Sequence, residues 1–539
     1  MSGFRDNYEM EMEIASELMT IKQASEWASR YLHRNVTSSN ISYLIQYGRI
    51  RKVGDNGGAL ISKDELIRYY RSYHGKREAN WTKALGEDLN WHLSFDYLKE
   101  SERTKHVHRL HPYKGKFIPQ LVEYFLDSHI DEFKKQAYFQ KGDIVLDPFA
   151  GSGTTLVQAN ELGIHAIGID ISSFNSLISN VKITKCNLTE LHAESYRITT
   201  ALKSFIASSR VGEFQAKLDE ALSQFNNRYF PSPGFKLLVN SGQVNEQEYG
   251  QEKARDFEHV IKSLTGIYQI DIEQESKSSF LDKWYVKQIR QEINYAQNMI
   301  GRIEDLNIKD VMTVILSRTL RSCRATTHFD LATLKEPVFS TYFCHKHGKI
   351  CRPLFSILNW WVRYTEDTIA RLAEFNSLRS NTHQICITGD SRTVNILEEL
   401  KPHNLSLATL TRTNGIRGIF SSPPYVGLID YHDQHAYAYD LFQLERKDNL
   451  EIGAMSKGQG TEARRQYILS IAEVLLNSRR FLADNFDVFL VANDKFNMYP
   501  QIAERAQMRI VTQFKRPVLC RTERDKAAYS ETIFHMKAL

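Results

Sequence analysis

Short β-branched apolar runs that stop at an acidic or hydroxyl residue recur in two separated parts of the chain. Ile144-Val145-Leu146-Asp147 is followed by the small-residue loop Pro148-Phe149-Ala150-Gly151-Ser152-Gly153-Thr154-Thr155, and then by a helical pattern from Leu156 to Leu162. Gly163 to Asp170 repeats the run, ending in Ile167-Gly168-Ile169-Asp170. The pattern resumes at Ile385-Cys386-Ile387-Thr388, before Gly389-Asp390-Ser391, and again at Ile419-Phe420, before Ser421-Ser422-Pro423-Pro424-Tyr425. Asp487 to Ala492 is a further buried strand ahead of a helix at 500–507. Strands that alternate with helices predict an α/β sheet.

From about 185 to 384 this alternation is lost. Amphipathic patterns at 190–205, 214–225 and 283–303 predict an inserted, mostly helical domain. The N-terminal part reads differently again. Thr20 caps a helix with Ile21, Ala24, Trp27, Ala28 and Leu32 on one face, and Ser38 or Ser39 caps a second with Ile41, Leu44 and Ile45. Arg49 to Val53 and Ala59 to Ile61, around the Asp55–Gly58 turn, predict a hairpin before a third helix that opens at 62–65. The predicted partition is a tail (1–15), an N-terminal module (16–75), a polar linker (76–105), a first catalytic part (106–184), the insertion (185–384) and a second catalytic part (385–539).

Composition narrows this only a little. With 539 residues and 42% hydrophobic content the chain supports more than one core. A net charge of +5 permits a nucleic-acid partner without demanding one. No apolar run is long enough to span a bilayer and no leader pattern is present, so the expected location is intracellular. Six cysteines over this length make no disulfide framework. Cys323, Cys344, His347 and Cys351 offer a Cys3His zinc set at irregular spacing, against the alternative of buried free thiols.

The loop after Asp147 has the grammar of a nucleotide-type pocket. Gly151 and Gly153 let the backbone approach a ligand, Asp147 accepts hydrogen bonds at the strand end, and Asp170 stands about twenty residues on, where a carboxylate grips a ribose hydroxyl. No Lys follows the second glycine, which excludes a P-loop. A plain strand-to-helix turn would share the Gly-x-Gly.

Two independent motifs carry a resemblance. The chain resembles the S-adenosylmethionine-dependent DNA amino-methyltransferases: Asp147 to Thr155 matches their cofactor loop, and Ser422-Pro423-Pro424-Tyr425 their catalytic loop. The resemblance implies a Rossmann-like sheet closed by an antiparallel hairpin (509–514 with 530–536) and S-adenosylmethionine as cofactor. It implies cofactor contacts from Asp147, Phe149, Gly151, Gly153, Thr154 and Asp170, from Lys116 and Phe117 in the stretch His111 to Phe117, and from Asp390 and Ser391 at the adenine. Ser422 and the Pro423 carbonyl would accept from the two hydrogens of the target amine, Pro424 would stiffen the loop, and Tyr425 would stack on a flipped base. A serine at the head of the tetrad favours N4 of cytosine, with N6 of adenine as the alternative. The chain contains no Pro-Cys dipeptide, so a cysteine-adduct mechanism at carbon 5 is not expected.

The N-terminal module is similar to excisionase-like winged helix-turn-helix domains. That implies double-stranded DNA as partner, with Asn40 and Tyr43 on the second helix and Arg49, Arg51 and Lys52 at phosphates. Arg321 and Arg324 in the insertion suit phosphates or base edges, and Lys515-Arg516 and Arg521-Thr522 are further candidates. The resemblance places such a protein in the cytoplasm of a bacterial or archaeal cell, in a restriction–modification or phage-defence system, with a restriction endonuclease as possible partner. An RNA amino-methyltransferase and a non-catalytic DNA-binding regulator on the same fold remain open alternatives.

Overall fold

A computed structural model describes residues 18–31, 36–46, 50–53, 60–86, 88–95, 98, 100–131, 133–272, 274, 278–331, 334–518 and 528–539. The tail (1–15), Arg49, the Asp55–Gly58 turn, Arg521 and Thr522 lie outside these, as does the side chain of Tyr43.

The N-terminal module begins with strand β1 (Leu18–Thr20) and helices α1 (Ile21–Tyr31) and α2 (Ser38–Gln46), followed by strand β2 (Leu60–Ser62) and helix α3 (Lys63–Leu85). Thr20 caps α1 reciprocally with Gln23: the Gln23 N–H donates to Thr20 Oγ1 at 3.2 Å, and the Thr20 N–H to Gln23 Oε1 at 2.9 Å. The cap of α2 is Thr37 rather than Ser38 or Ser39. Asn40 N donates to Thr37 Oγ1, and Asn40 Oδ1 accepts from Thr37 N at 2.8 Å, so the oxygen expected to read a base is spent on the helix end. The expected hairpin is also redrawn. β2 pairs antiparallel with β1, Met19 and Ile61 being buried, and among the described residues the 50–53 segment meets it at one antiparallel bridge, Val53 to Leu60. Arg51 is engaged by Glu65 (Nε to Oε1, 2.7 Å) while its side chain stays largely exposed. The expected linker is helical through Leu85, and residues 85–90 bind the edge of the catalytic sheet: the Asn90 N–H donates to the Lys515 carbonyl at 2.6 Å.

The catalytic sheet has seven strands. In chain order they are β3 (Ile144–Asp147), β4 (His165–Asp170), β7 (Gln384–Thr388), β8 (Ile416–Ser421), β9 (Leu482–Ala492), β10 (Met508–Pro517) and β11 (Ser530–Ala538), arranged β10-β11-β9-β8-β3-β4-β7. The β7-β4-β3-β8-β9 part is parallel, and β11 runs antiparallel between β9 and β10. Every residue of β3 is buried, as the apolar run Ile-Val-Leu requires of a strand covered on both faces. Strand order reverses at β3, so a crevice opens between the carboxyl ends of β3 and β8.

Helix α4 (Pro119–Leu126) precedes β3, α5 (Thr154–Glu161) joins β3 to β4, and α6 (Ser173–Ile183) follows β4. The chain then leaves the sheet for α7 (Leu188–Ala207), α8 (Val211–Tyr229), α9 (Glu246–Tyr268), α10 (Lys287–Gly301), α11 (Leu306–Ser322), the two-stranded hairpin β5 (Tyr342–Cys344) and β6 (Lys349–Cys351), and α12 (Leu358–Leu378), before returning at β7. This helical excursion does not form a core of its own. Leu191, Ile198, Val314 and Trp361 belong to the same buried cluster as Val145, Leu156 and Phe174 on one face of the sheet. The other face and the N-terminal module have separate cores. Among the described residues no helix is long and apolar enough to cross a membrane.

Candidate active site

The crevice holds a cleft of about 820 Å³, counting its open mouth, and the cofactor residues expected from sequence converge on it. Lys116, Phe117, Asp147, Phe149, Gly151, Thr154, Asp170, Asp390 and Ser391 all line it, together with Ser422 and Pro424. Gly153 stands one residue behind the wall, as the left-handed cap of α5 (φ 74°).

The loop after β3 is tied down from beneath. The Ser179 hydroxyl donates to the Gly151 carbonyl at 3.0 Å, and the buried Lys182 ammonium donates to the Ser152 carbonyl. Gly151 has φ 51°, and a Cβ there would lie 3.0 Å from the Tyr113 ring. The Gly151 N–H donates to Asp170 Oδ2 at 2.8 Å, so Asp170 positions the loop as well as facing the cleft. Asp170 also accepts from Ser172 N and Asn175 Nδ2. Asp147 accepts from Thr155 Oγ1 (2.6 Å), Ser421 Oγ (2.5 Å) and Phe149 N, which couples the first loop to the strand that carries the second. Burial outweighs these hydrogen bonds and raises both carboxyls to about 6. Burial likewise brings the Lys116 ammonium, which donates to the His108 carbonyl at 2.7 Å, down to about 8.

Asp390 is less free than expected. Burial opposes its ionisation, but hydrogen bonds from Arg392 (2.6 and 2.9 Å) hold its carboxyl below the usual range. Ser391 donates to the Pro148 carbonyl at 2.6 Å and thereby joins the β7 loop to the β3 loop.

Two cleft residues, Tyr113 and Glu451, are not among the expected contacts. Tyr113 and Tyr431 stack with ring centres 6.1 Å apart, and Glu451 accepts from the main-chain N–H groups of Tyr431 (3.1 Å) and His432 (2.8 Å). Tyr113 lay inside the His111–Phe117 stretch already singled out, but nothing local marks Glu451. Two cleft atoms, Ser152 Oγ and Asn175 Oδ1, are buried and have no hydrogen-bond partner among the described residues. A wall of carboxylates, aromatic faces and unpaired polar atoms fits a ligand with a cationic end, a sugar and a flat ring.

At the catalytic loop the Ser422 hydroxyl donates to the Val491 carbonyl at 3.1 Å. Tyr425 does not line the cleft; its hydroxyl donates to Glu531 Oε1 at 2.8 Å, and its ring is partly buried against the sheet. A second, wider cleft shares Tyr113 with the first. Its walls come from the segment after the catalytic loop (Leu428 to Asp430, Asp433 to Ala436) and from the insertion, including Arg321 and Arg324, with Lys114 between them. Arg324 is mostly buried and donates to the Arg321 and Leu331 carbonyls. Two other cations named from sequence are occupied internally: Lys515 by Asp88 and the Leu85 carbonyl, and Arg516, buried beside Glu531.

The cysteine set needs correction. Cys323 is buried in the core at the end of α11, whereas Cys344, His347 and Cys351 gather around His328. Cys323 closes a helix whose last turns are buried in that core, and the hairpin's ligand atoms gather without it.

A cleft of this make-up, at the switch point of a sheet closed by an antiparallel hairpin, is that of an S-adenosylmethionine-dependent methyltransferase. The family model described as DNA methylase matches residues 22–180. Over 532 residues the chain is 45% identical to the Type II methyltransferase M.MjaII of Methanocaldococcus jannaschii, covering 98% of each. It is 37% identical over 357 residues to the Type II methyltransferase M.BsoBI of Geobacillus stearothermophilus, covering 66% of this chain and 56% of that one. Among solved structures, the rRNA methyltransferase aviRa from Streptomyces viridochromogenes aligns with 81% of this chain and 93% of its own, at a TM-score of 0.26 and 9% identity. The chain belongs to the DNA amino-methyltransferase family, with a Type II methyltransferase as a relative along 98% of its length.

Proposed function

We propose that the protein is a site-specific DNA methyltransferase that modifies N4 of a flipped cytosine, as the modification partner of a restriction endonuclease or a related defence system. The observation that carries this reading is the Ser422 hydrogen bond. Its proton is committed to the Val491 carbonyl, so the oxygen offers lone pairs to the cleft. An exocyclic amine is a poor nucleophile because its lone pair is delocalised into the ring. Two acceptors, Ser422 Oγ and the Pro423 carbonyl, favour the tetrahedral nitrogen of the transition state over the planar ground state. S-adenosylmethionine supplies the methyl group as an electrophile. Asp170 and Glu451 hold its polar parts, Lys116, Phe117, Phe149, Thr154 and Ser391 complete the wall, and Asp390, freed from Arg392, faces the adenine. Lys114 and Arg321 receive the DNA backbone at the second cleft, with Arg324 bracing the loop behind them through its bonds to the Arg321 and Leu331 carbonyls, and the N-terminal module adds contacts through Arg51 and Lys52. The Tyr425 ring stacks on the extruded base after a rotation that its tether to Glu531 must allow.

Transfer of label from S-adenosylmethionine to unmethylated genomic DNA, followed by nucleoside mass spectrometry, tests the reading. N4-methylcytosine that falls about a hundredfold in Ser422→Ala is the expected result. N6-methyladenine would keep the mechanism and overturn the base. Cofactor binding without DNA methylation would turn the search to RNA substrates or to a regulatory role.

A further inference from the structure

Four metal-ligating side chains meet about one corner of the insertion, outside both clefts. Their ligand atoms all lie within 4.8 Å of one another. His328 Nδ1 is 3.7 Å from Cys344 Sγ, and His347 Nδ1 is 3.6 Å from Cys344 Sγ and 3.4 Å from Cys351 Sγ. We propose that His328, Cys344, His347 and Cys351 bind a structural zinc ion. Ordinary Zn–S and Zn–N lengths in a tetrahedron keep sulfur and nitrogen ligands about 3.6 Å apart, and the observed spacings match. Two thiolates with two imidazoles form a closed set that suits zinc and leaves no open position, so the role is structural rather than catalytic.

The hairpin explains the choice of ligands. Cys344 ends β5, Cys351 ends β6, and His347 lies in the turn between them, closed by N–H bonds from His347 and Gly348 to the Cys344 carbonyl. His328 arrives from the loop after α11, with Tyr342 Oη 2.9 Å from its Nδ1 and accepting its main-chain N–H at 3.1 Å. The hairpin itself is anchored: Asn226 of α8 pairs with both main-chain groups of Ile350 (2.9 and 3.0 Å). The ion would therefore fasten the loop carrying Arg324 to the rest of the insertion. The sequence spacing hides this, because His328 stands sixteen residues before Cys344 and reaches it only through the fold.

Elemental analysis of the full chain purified without chelator tests the site. One zinc per chain is expected, falling about tenfold in Cys344→Ser and in His328→Asn, and unchanged in Cys323→Ser. Because a ligand variant can fail to fold, the wild type is also stripped and reloaded with cobalt(II). A visible spectrum of tetrahedral thiolate–imidazole type supports the site without any variant. Wild type that binds neither zinc nor cobalt under reducing conditions overturns the proposal. So does loss of zinc in Cys323→Ser with retention in His328→Asn.

Discussion

Asp147 and Asp170 show what burial does to a carboxylate that must still act as an anion. Both titrate near 6, against 3.8 for a free aspartate. Between those values the folded chain holds more protons than the unfolded one. Stability contributed by the pair therefore falls as pH rises through this window and levels off above it. Affinity for a cationic ligand moves the other way, because only the ionised Asp170 attracts it. Calorimetry should find S-adenosylmethionine bound about tenfold more weakly at pH 5 than at pH 7.5, with the dependence flattened in Asp170→Asn. A second residue-scale prediction concerns Gly151. Ala at this position combines φ 51° with a Cβ 3.0 Å from the Tyr113 ring. It should cost about 1–2 kcal/mol in chemical denaturation and weaken cofactor binding in the same titration.

The cofactor loop is held from below by α6, and Lys182 is the clamp. Its ammonium is fully buried, and burial pushes it well below its ordinary range. Lys182→Met keeps the bulk and removes the donor, leaving the Ser152 carbonyl unpaired. Destabilisation of about 1–3 kcal/mol is expected, with a higher Kd for cofactor and unchanged secondary structure by circular dichroism. The strands that frame this loop were legible in the sequence, because buried parallel strands are written as short continuous apolar runs with an acid or hydroxyl at the carboxyl end. Elements defined by distant partners were not. Residues 76–85 read as linker because their polar composition lacks an apolar stripe, yet they continue α3. Leu18–Thr20 is a strand only because Leu60–Ser62 lies beside it. Glu451 reaches the cleft through the main chain of Tyr431 and His432, and His328 takes the place foreseen for Cys323. In each case the deciding contact is made across the fold, where local patterns carry no information.

The two clefts, one for the cofactor and the other proposed for DNA, meet at Tyr113. Arg321→Ala should therefore weaken DNA binding, reduce the salt dependence of the affinity by about one charge, and leave the cofactor Kd unchanged. Fluorescence anisotropy across a salt series checks this. The N-terminal module has its own core and joins the catalytic sheet through residues 85–90. Removal of residues 1–84 should preserve cofactor binding while lowering DNA affinity. Removal through residue 95 should cause aggregation, because it uncovers β10 at the sheet edge.

The insertion leaves and rejoins the sheet at one neck. Arg379 donates to the carbonyls of Ile183 and Thr184, and Asn180 bonds both main-chain groups of Cys386. Departure and return thus lie side by side. Because the excursion shares its core with the sheet, a transplant between relatives at this neck carries its sheet-facing apolar residues along, and it keeps its packing only where Val145, Leu156 and Phe174 meet matching partners.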